Sequence, residues 1–291
     1  MTSPTFVREN DRLNPTAIFW IIFIHLGALA AIPFFSWRAL GVCLISFLVI
    51  STFGVTLTYH RMLTHRSFRV PVWLEYPLAI IGVLSAQGSP LAWVARHRFH
   101  HRFSDTPRDT HTPRKGIIFS HIGNELVHSE HTQEELMKYV PDLTRQRFYR
   151  FLDQYHLWIA LSQLPILYLM GGLPFVLWGG FVRVVLMLHV TWLVNSAAHV
   201  WGYQSNETHD DSRNCWWVAL LASGEGWHNN HHAQQRRAAH GQRWWELDLT
   251  YGVILCLEMM GLATKVVRSE KSRATIHGAG YTQAEAKAVT S

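Results

Sequence analysis

Long apolar segments alternate with long polar ones along this chain, and four of the apolar segments have the length of membrane-spanning helices. Such a helix needs roughly 17–25 mainly apolar residues to cross about 30 Å of hydrocarbon. The four segments cover residues 17–35, 39–59, 157–173 and 174–198. Short turns at residues 36–38 and 171–174 join the members of each pair. The pattern predicts an all-α, multi-pass membrane protein with four transmembrane helices in two hairpins.

Two further apolar segments are too interrupted or too short to be spans. Residues 72–94 are interrupted by Glu75, Pro77, Gln87 and Pro90, and residues 250–264 are short and include Glu258. We expect both to be helices that lie at the membrane interface. Counting them as spans would move some of the histidines described below to the opposite side. We expect one domain over residues 1–291, with residues 269–291 as a disordered tail.

Positive charge is distributed unevenly between the two sides that four spans define. An even number of spans places both termini and residues 60–156 and 199–268 on one side. All but two of the 26 Lys and Arg residues lie there, and the exceptions are Arg38 and Arg183. The positive-inside rule makes this side cytoplasmic. We therefore expect residues 60–156 and 199–268 to form a cytoplasmic helical cap, with both termini in the cytoplasm.

The composition agrees with a membrane protein and limits its partners. Hydrophobic residues make up 48% and charged residues 16% of the chain, against about 25% charged residues in soluble domains. The net charge is +6. Because the sequence has no nucleic-acid-binding motif, this charge favours membrane lipids or an acidic protein as partners, and not nucleic acid. The three cysteines lack CxxC spacing, which argues against a disulfide framework and a zinc knuckle.

Nine of the 19 histidines follow a spaced pattern at the cytoplasmic ends of the spans. Residues three and four apart share a helix face, so each of two HxxHH motifs brings three imidazoles together, and Asn195 projects beside His199. His60 and His65 are five apart, about 140° around an α-helix. They could straddle two metals, or the helix could break between them. Nine imidazoles are too many for one ion, so we predict a two-metal centre of Fe, Zn, Cu or Ni. The predicted ligands are His60, His65, His97, His100, His101, His199, His228, His231 and His232.

The other ten histidines are expected to have ordinary structural roles. Seven belong to predicted cytoplasmic loops and three to spans or their ends: His111, His121, His128, His131, His209, His240 and His277, then His25, His156 and His189. A metal-bound imidazole usually donates its second ring nitrogen to a carboxylate or carbonyl. Six carboxylates are candidates, although each taken singly is more often solvated surface: Asp105, Asp109, Glu207, Asp210, Asp211 and Glu225.

With these motifs the chain resembles the membrane-bound fatty acid desaturases, more narrowly the Δ9 acyl desaturases of the stearoyl-CoA and cyanobacterial acyl-lipid type. The resemblance covers residues 53–266. Its most specific stretches are residues 59–68 (YHRMLTHRSF), 191–199 (TWLVNSAAH) and 224–232 (GEGWHNNHH). It implies an O2-dependent oxidoreductase of lipid metabolism. The implied reaction introduces a cis double bond into a saturated acyl chain at a di-iron centre, using two external electrons.

The resemblance also implies roles for individual residues. It gives one iron to His60, His65, His97, His101 and His231, and the other to His100, His199, His228 and His232, with a water-mediated tie from Asn195. It places Gln87, Thr191 and Trp192 at the bend of an acyl tunnel. Ser89 stands where the animal enzymes carry a tryptophan.

One departure from the family bears on the substrate. Animal acyl-CoA enzymes carry an Arg-Asp pair before the second histidine motif, whereas this chain has Ala95-Arg96. Residues 109–116 also look more like the bacterial and cyanobacterial branch. Both features favour an acyl-lipid over an acyl-CoA substrate, and a bacterial or cyanobacterial membrane over the endoplasmic reticulum. The sequence carries no electron-transfer motif, so we expect ferredoxin or cytochrome b5 to supply electrons on the basic face.

Two other functions fit part of the pattern. A hydroxylase of acyl chains or sterols would use the same metal centre. A metal transporter would place its ligands near the bilayer midplane between spans. Because the patterned histidines cluster on one face and at span ends, the sequence favours an enzyme over a transporter.

Overall fold

The computed structural model describes residues 12–269, and these form helices and connecting segments without a named β-strand. The all-α class is confirmed; His277 and the predicted tail beyond Ser269 lie outside the described residues. The α-helices of the described part are α1 (Pro15–Ala30), α2 (Trp37–Val49), α3 (Val72–Val83), α4 (Pro90–Phe103), α5 (Asn124–Leu126), α6 (Gln133–Met137), α7 (Pro141–Thr144), α8 (Arg147–Phe175), α9 (Arg183–Val200), α10 (Trp216–Leu221), α11 (His228–Ala233) and α12 (Leu249–Met259). Wider π-helical segments lie at Ile50–Thr64, Phe119–Gly123 and Val176–Val182, and 3₁₀ turns lie at Ile32–Phe34 and Pro113–Lys115.

α2 continues directly into the π-helical segment Ile50–Thr64. In a π-helix, hydrogen bonds join residues five apart, and the hydroxyls of Thr58 and Thr64 also donate to carbonyls five residues earlier. All but one of its 15 residues are buried. At Gly54 a Cβ would lie 2.7 Å from the backbone nitrogen of Gly82 on α3. Only glycine permits so close an approach of two backbones, so this segment is the buried centre of the fold.

The apolar residues 72–94 belong to two helices, so the expectation of one continuous helix is wrong, and their position at the membrane interface stays a prediction. Between α3 and α4, Gly88 has a φ of +94°, and the Ser89 hydroxyl caps α4 by accepting a hydrogen bond from the Ala92 amide. Pro90 is the first residue of α4. Proline fits that position and disfavours a helical conformation in the residue before it. The Gly-Ser-Pro sequence therefore contains the signal for the break.

The segment named α8 contains the turn of a helical hairpin at Gly171 and Gly172, so that only its part before Gly171 is one straight helix. Both glycines leave the helical conformation, and Gly172 has a φ of +67°, which glycine adopts without a steric penalty. The returning chain packs against α8, because a Cβ at Gly180 would lie 2.8 Å from Leu164 Cδ2. The reversal lies within the predicted turn at residues 171–174.

Two continuous helical stretches among the described residues are long and apolar enough to cross a membrane. They are Trp37–Thr64, with 28 residues, and Arg147–Val200, with 54 residues and the hairpin turn inside it. α1, α3 and α12 are apolar but shorter. Large apolar side chains such as Phe19 and Leu169 are exposed on α1 and α8, and extended apolar surface marks an interaction with membrane or protein. These features support membrane association, and the number of crossings stays a prediction.

Arg61 connects the π-helical segment Ile50–Thr64 to the last third of the chain. Its side chain is fully buried. It donates to Glu225 Oε1, to the Asp248 carboxylate and, at 2.7 Å, to the Ala238 carbonyl. A buried guanidinium needs such complete pairing to offset its lost hydration. This network brings the histidine motif near residue 60 against the one near residue 230.

Candidate metal centre

The π-helical conformation accounts for the spacing of His60 and His65. The His65 amide donates to the His60 carbonyl at 3.2 Å, so the two residues are neighbours along one side of the wide helix. Their ring centroids lie 4.8 Å apart. The 140° separation expected of an α-helix does not occur, because the helix is wider here. The two imidazole rings therefore lie on the same side of the helix and face one shared site.

Three α-helices present the remaining patterned histidines. α4 supplies one HxxHH motif near its C-terminal end, α11 consists mainly of the other, and α9 supplies His199 in its last turn. All of these histidines are buried except His97, which is partly buried. The spacing of three and four residues along α4 and α11 thus gives one shared face, as the sequence predicts.

The nine histidines fall into two groups whose ring nitrogens converge. Within each group, the nitrogens that could bind an ion lie within 4.8 Å of one another. The first histidine group is His60, His65, His97, His101 and His231, and the second histidine group is His100, His199, His228 and His232. This is the division that the family resemblance implies, and spacing alone did not reach it.

Distances between ring nitrogens match those of neighbouring metal ligands. In the first histidine group, His231 Nε2 lies 3.1 Å from His60 Nε2 and 3.0 Å from His101 Nε2. In the second, His228 Nε2 lies 3.1 Å from His199 Nε2. Two imidazoles bound at about 2.1 Å and at a right angle to one ion have nitrogens about 3 Å apart. Each group is therefore compact enough to surround an ion.

Several ring nitrogens at this centre are buried without a hydrogen-bond partner among the described residues. They include the Nε2 atoms of His65, His100 and His232. A buried polar atom that makes no hydrogen bond costs free energy. One metal ion in each histidine group would satisfy these nitrogens, since His65 belongs to the first group and His100 and His232 to the second. Neutral imidazole is a common ligand of transition metals. The donor set therefore fits a metal cofactor.

Four carboxylates, three of them buried and one, Asp210, partly buried, hold ligand rings through the Nδ1 atoms of those rings. These contacts orient each ring and direct its Nε2 towards the centre. For these four carboxylates the expectation of solvated surface is wrong, whereas Glu207 is exposed and Asp211 pairs with exposed Arg114. The four pairs are Glu225 with His60 (2.5 Å), Asp109 with His100 (2.9 Å), Asp105 with His199 (3.0 Å) and Asp210 with His232 (2.7 Å).

Burial and pairing set the charges at the centre. Burial lowers the pKa of His97 and of His231 well below the ordinary value, and neighbouring imidazoles lower it further. Burial alone would raise the pKa of Asp105, but its hydrogen bond with His199 and the charge of that ring lower it to about 2. Neutral imidazoles beside ionised carboxylates are the state that binds a cation.

Asp210→Asn is expected to weaken metal binding by the second histidine group about 10–100-fold. The amide has nearly the shape of the carboxylate but removes the charge that orients His232. Metal retained by the purified protein against a competing chelator measures the effect. Asp211→Asn is the matched control, since the Asp211 side chain is 45% exposed and pairs with Arg114. Equal metal retention by the two variants would contradict the orienting role of Asp210.

Two buried histidines that the sequence analysis assigned to ordinary loop positions lie beside the centre. The ring of His240 is 4.3 Å from that of His231, and the ring of His111 is 4.1 Å from that of His100. Their ordinary roles are thus corrected to places against the ligand rings. Neither belongs to a spaced motif, so spacing could not find them. The only sequence signal is the position of His111 two residues after Asp109.

A cavity of about 720 Å³ reaches the first histidine group at His97 and is walled by parts of α1, α8 and α9. Gln87, Thr191 and Trp192, the three residues expected at a tunnel bend, all line it. Gln87 Nε2 donates to Thr191 Oγ1 at 2.8 Å, and Trp93 Nε1 donates to Gln87 Oε1 at 3.0 Å. A cavity of this size with a few fixed polar groups is typical of a site for an apolar ligand.

Two other residues singled out in the sequence lie near this cavity. Asn195 lines it and lies one helical turn before His199 on α9. Its backbone carbonyl accepts a hydrogen bond from the Ser120 hydroxyl at 2.6 Å. Ser89 caps α4 and donates its hydroxyl hydrogen to Asp153. Asn195 is therefore placed between the cavity wall and the helix end that carries a candidate ligand.

The family model described as "Fatty acid desaturase" matches residues 35–255. The chain is 47% identical over 262 residues to an sn-1 stearoyl-lipid 9-desaturase of Synechocystis sp., covering 89% of this chain and 82% of that protein. It is 45% identical to an sn-1 stearoyl-lipid 9-desaturase of Anabaena variabilis, covering 90% and 97%. It is 44% identical to an acyl-CoA C20 Delta5-desaturase of Anemone leveillei, covering 90% and 84%.

Proposed function

The chain belongs to the fatty acid desaturase family, and from that premise we propose that it introduces a cis double bond at the Δ9 position of saturated acyl chains in membrane lipids. Membership makes the protein an oxidoreductase that acts on acyl chains. The observation that carries the proposal is the cavity that ends at His97 in the first histidine group. It lets an apolar chain reach the candidate metal ligands. The names of the two cyanobacterial relatives support the Δ9 position.

We propose two iron ions, one in each histidine group, with Asn195 tied to the second through water. Sets of neutral nitrogen donors suit iron among several metals. When bound, the irons would supply the redox chemistry that couples removal of two hydrogens from the acyl chain to reduction of O2 with two external electrons. The protein keeps the imidazoles neutral and oriented, and its burial of the centre excludes water.

The cavity wall supports a role in positioning the acyl chain. The apolar side chains that line it favour methylene groups by about 0.8 kcal/mol for each CH2 removed from water. The hydrogen-bonded row of Trp93, Gln87 and Thr191 fixes one side of the wall. Trp192 is 4% exposed and lines the same space. We infer that these rigid side chains determine which methylenes lie against the first histidine group.

An acyl-lipid is the proposed substrate form. Arg96 lines the cavity, and its guanidinium pairs with Glu125 at 3.1 Å. The Arg-Asp pair of animal acyl-CoA enzymes is absent, because Ala95 and Arg96 occupy those positions. The cyanobacterial relatives are named for stearoyl-lipids, whereas the Anemone relative is named for acyl-CoA. The sequence departure therefore supports an acyl-lipid over an acyl-CoA substrate.

We propose four membrane crossings at residues 17–35, 39–59, 157–173 and 174–198, with the cap and both termini in the cytoplasm of a bacterial or cyanobacterial cell. The long helical stretches and the reversal at Gly172 support the crossings. The one-sided distribution of Lys and Arg supports the orientation. The same basic side would attract an acidic electron donor, a ferredoxin or a cytochrome b5.

Expression in a host that lacks Δ9 unsaturation is expected to produce a new Δ9 monoene in its membrane lipids. Mass spectrometry of the lipid fatty acids locates the double bond, and release by lipid class shows which head group carried it. A hydroxy fatty acid without a monoene would assign the hydroxylase function instead. Cells that accumulate the protein with a suitable electron donor and form neither product would contradict the proposal.

A further inference from the structure

Three histidines outside the metal centre form a hydrogen-bonded array, which we call the histidine row. It consists of His25 on α1, His189 on α9 and His121 in the π-helical segment Phe119–Gly123. The Nε2 atoms of His25 and His189 lie 3.1 Å apart, and His189 Nδ1 lies 3.0 Å from His121 Nε2. From the sequence, all three are expected to have ordinary structural roles, with His121 in a loop. The structure instead shows that they join three separate elements.

The geometry of the row differs from that of the metal centre. In the two histidine groups each ring offers one nitrogen to a shared space. In the row, His189 contacts His25 through one nitrogen and His121 through the other. The two nitrogens of an imidazole point away from each other, so the row cannot enclose one ion with all three rings. It is built to link neighbours by hydrogen bonds.

The end of the row on α1 makes its members interdependent. His25 Nδ1 lies 2.6 Å from the Ile21 carbonyl, and a carbonyl only accepts, so Nδ1 donates. In a neutral ring this leaves His25 Nε2 as an acceptor for the hydrogen of His189 Nε2, and His189 Nδ1 as an acceptor for His121. A substitution in one ring therefore changes the hydrogen bonding of the next.

The row is packed directly behind Trp192 in the cavity wall. The indole ring meets the rings of His189 and His121 edge to face, with centroids 5.0 Å and 5.8 Å apart. The Ser196 hydroxyl lies 3.0 Å from His121 Nδ1 and 2.7 Å from the Trp192 carbonyl, two acceptors that share its single hydrogen. Both the side chain and the backbone of Trp192 are thus held from this side.

The row also contacts a second part of the cavity wall, on α1. Ile21 on α1 lines the cavity and provides the carbonyl that accepts from His25. α1 is otherwise apolar from Ala17 to Ala30. In such a setting a hydrogen bond between helices determines how they sit against each other, because apolar contacts alone are weakly directional. His25 therefore sets the position of the α1 wall relative to Trp192.

We propose that the histidine row is a positioning unit that sets the distance between α1 and Trp192 and thereby the methylenes that reach the metal centre. This inference rests on the proposed desaturase function. A displacement of about 1 Å at a wall is enough to change reaction geometry strongly. The row contacts neither candidate metal group, so its effect appears in the choice of product and not in metal binding.

The test compares the products of His25→Leu and His189→Leu with those of the wild type in the same host. We expect the ratio of positional isomers, or of C16 to C18 monoenes, to change about threefold or more, with unchanged metal content. His25→Gln retains a donor and an acceptor and is expected to stay near the wild-type ratio. Ser162→Ala is the matched control, since the exposed Ser162 hydroxyl donates within its own helix, to the Ile159 carbonyl.

Lower total product at an unchanged ratio in both leucine variants would overturn the inference. If a leucine variant does not accumulate in the membrane, the cycle formed by Trp192→Phe, His25→Asn and their double variant provides the test. Asparagine keeps a polar side chain but is too short to make the contact of His25 Nε2 with His189. Coupled residues give a double-variant ratio that differs from the product of the single changes. Independent changes would again overturn the inference. Absence of monoene from the wild type would contradict the proposed function instead, which keeps the two failures distinguishable.

Discussion

His231→Ala is expected to abolish desaturation while leaving the protein in the membrane. The Nε2 atom of His231 lies within 3.1 Å of the Nε2 atoms of both His60 and His101, and the residue is 1% exposed. Its removal takes a central donor from the first histidine group and leaves a gap that water can enter. We expect the metal content to fall by up to half and the monoene to fall at least 100-fold, as for loss of an essential catalytic element.

The two readouts for His231→Ala are metal per purified protein and monoene per cell. His128→Ala is the control, because His128 is exposed and lies outside both histidine groups. It should match the wild type in both measurements. Full monoene formation by His231→Ala would contradict the assignment of this residue to the metal centre.

Arg61→Met is expected to destabilise the protein by about 3–5 kcal/mol, the range for breaking a buried ion pair. Methionine replaces much of the volume of arginine but none of its charge. Glu225 and Asp248, which contact the Arg61 guanidinium at 3.0 Å and 2.9 Å, would remain buried without it. Glu225 also orients His60, so metal content should fall together with stability.

Thermal unfolding in detergent, followed by near-ultraviolet circular dichroism, measures the loss of stability in Arg61→Met. Arg108→Met is the matched control. Arg108 pairs with Glu135, but its side chain is 53% exposed, and exposed ion pairs contribute about 0–1 kcal/mol. Similar melting temperatures for the two variants would show that the buried network is not a main source of stability.

The sequence predicted those parts of the site that depend on spacing within one helix. The HxxHH motifs on α4 and α11 give converging rings because residues three and four apart share a face. The distance between His60 and His65 could not be predicted this way, since hydrophobic pattern does not distinguish a π-helix from an α-helix. The resemblance to the family, and not the spacing, divided the ligands into two groups.

The partners that come from loops were beyond any spacing rule. Asp105, Asp109 and Asp210 reach the ligand rings from segments without a repeating pattern, and His240 does so from a turn. Their roles follow from long-range packing, which one sequence does not display. By contrast, the break before α4 carried a local signal at Pro90, which the apolar character of residues 72–94 obscured.

The pairing of His60 with His231 has a consequence for biosynthesis. These residues are 171 positions apart. The first histidine group is complete only after α11, which carries His231, has been synthesised. Chains are made from the N-terminus at about 5–20 residues per second, so about 9–34 seconds separate the synthesis of His60 from that of His232. Completion of the first histidine group is therefore a late event in the synthesis of this chain. A chain whose synthesis stops before residue 228 would contain at most six of the nine predicted histidine ligands.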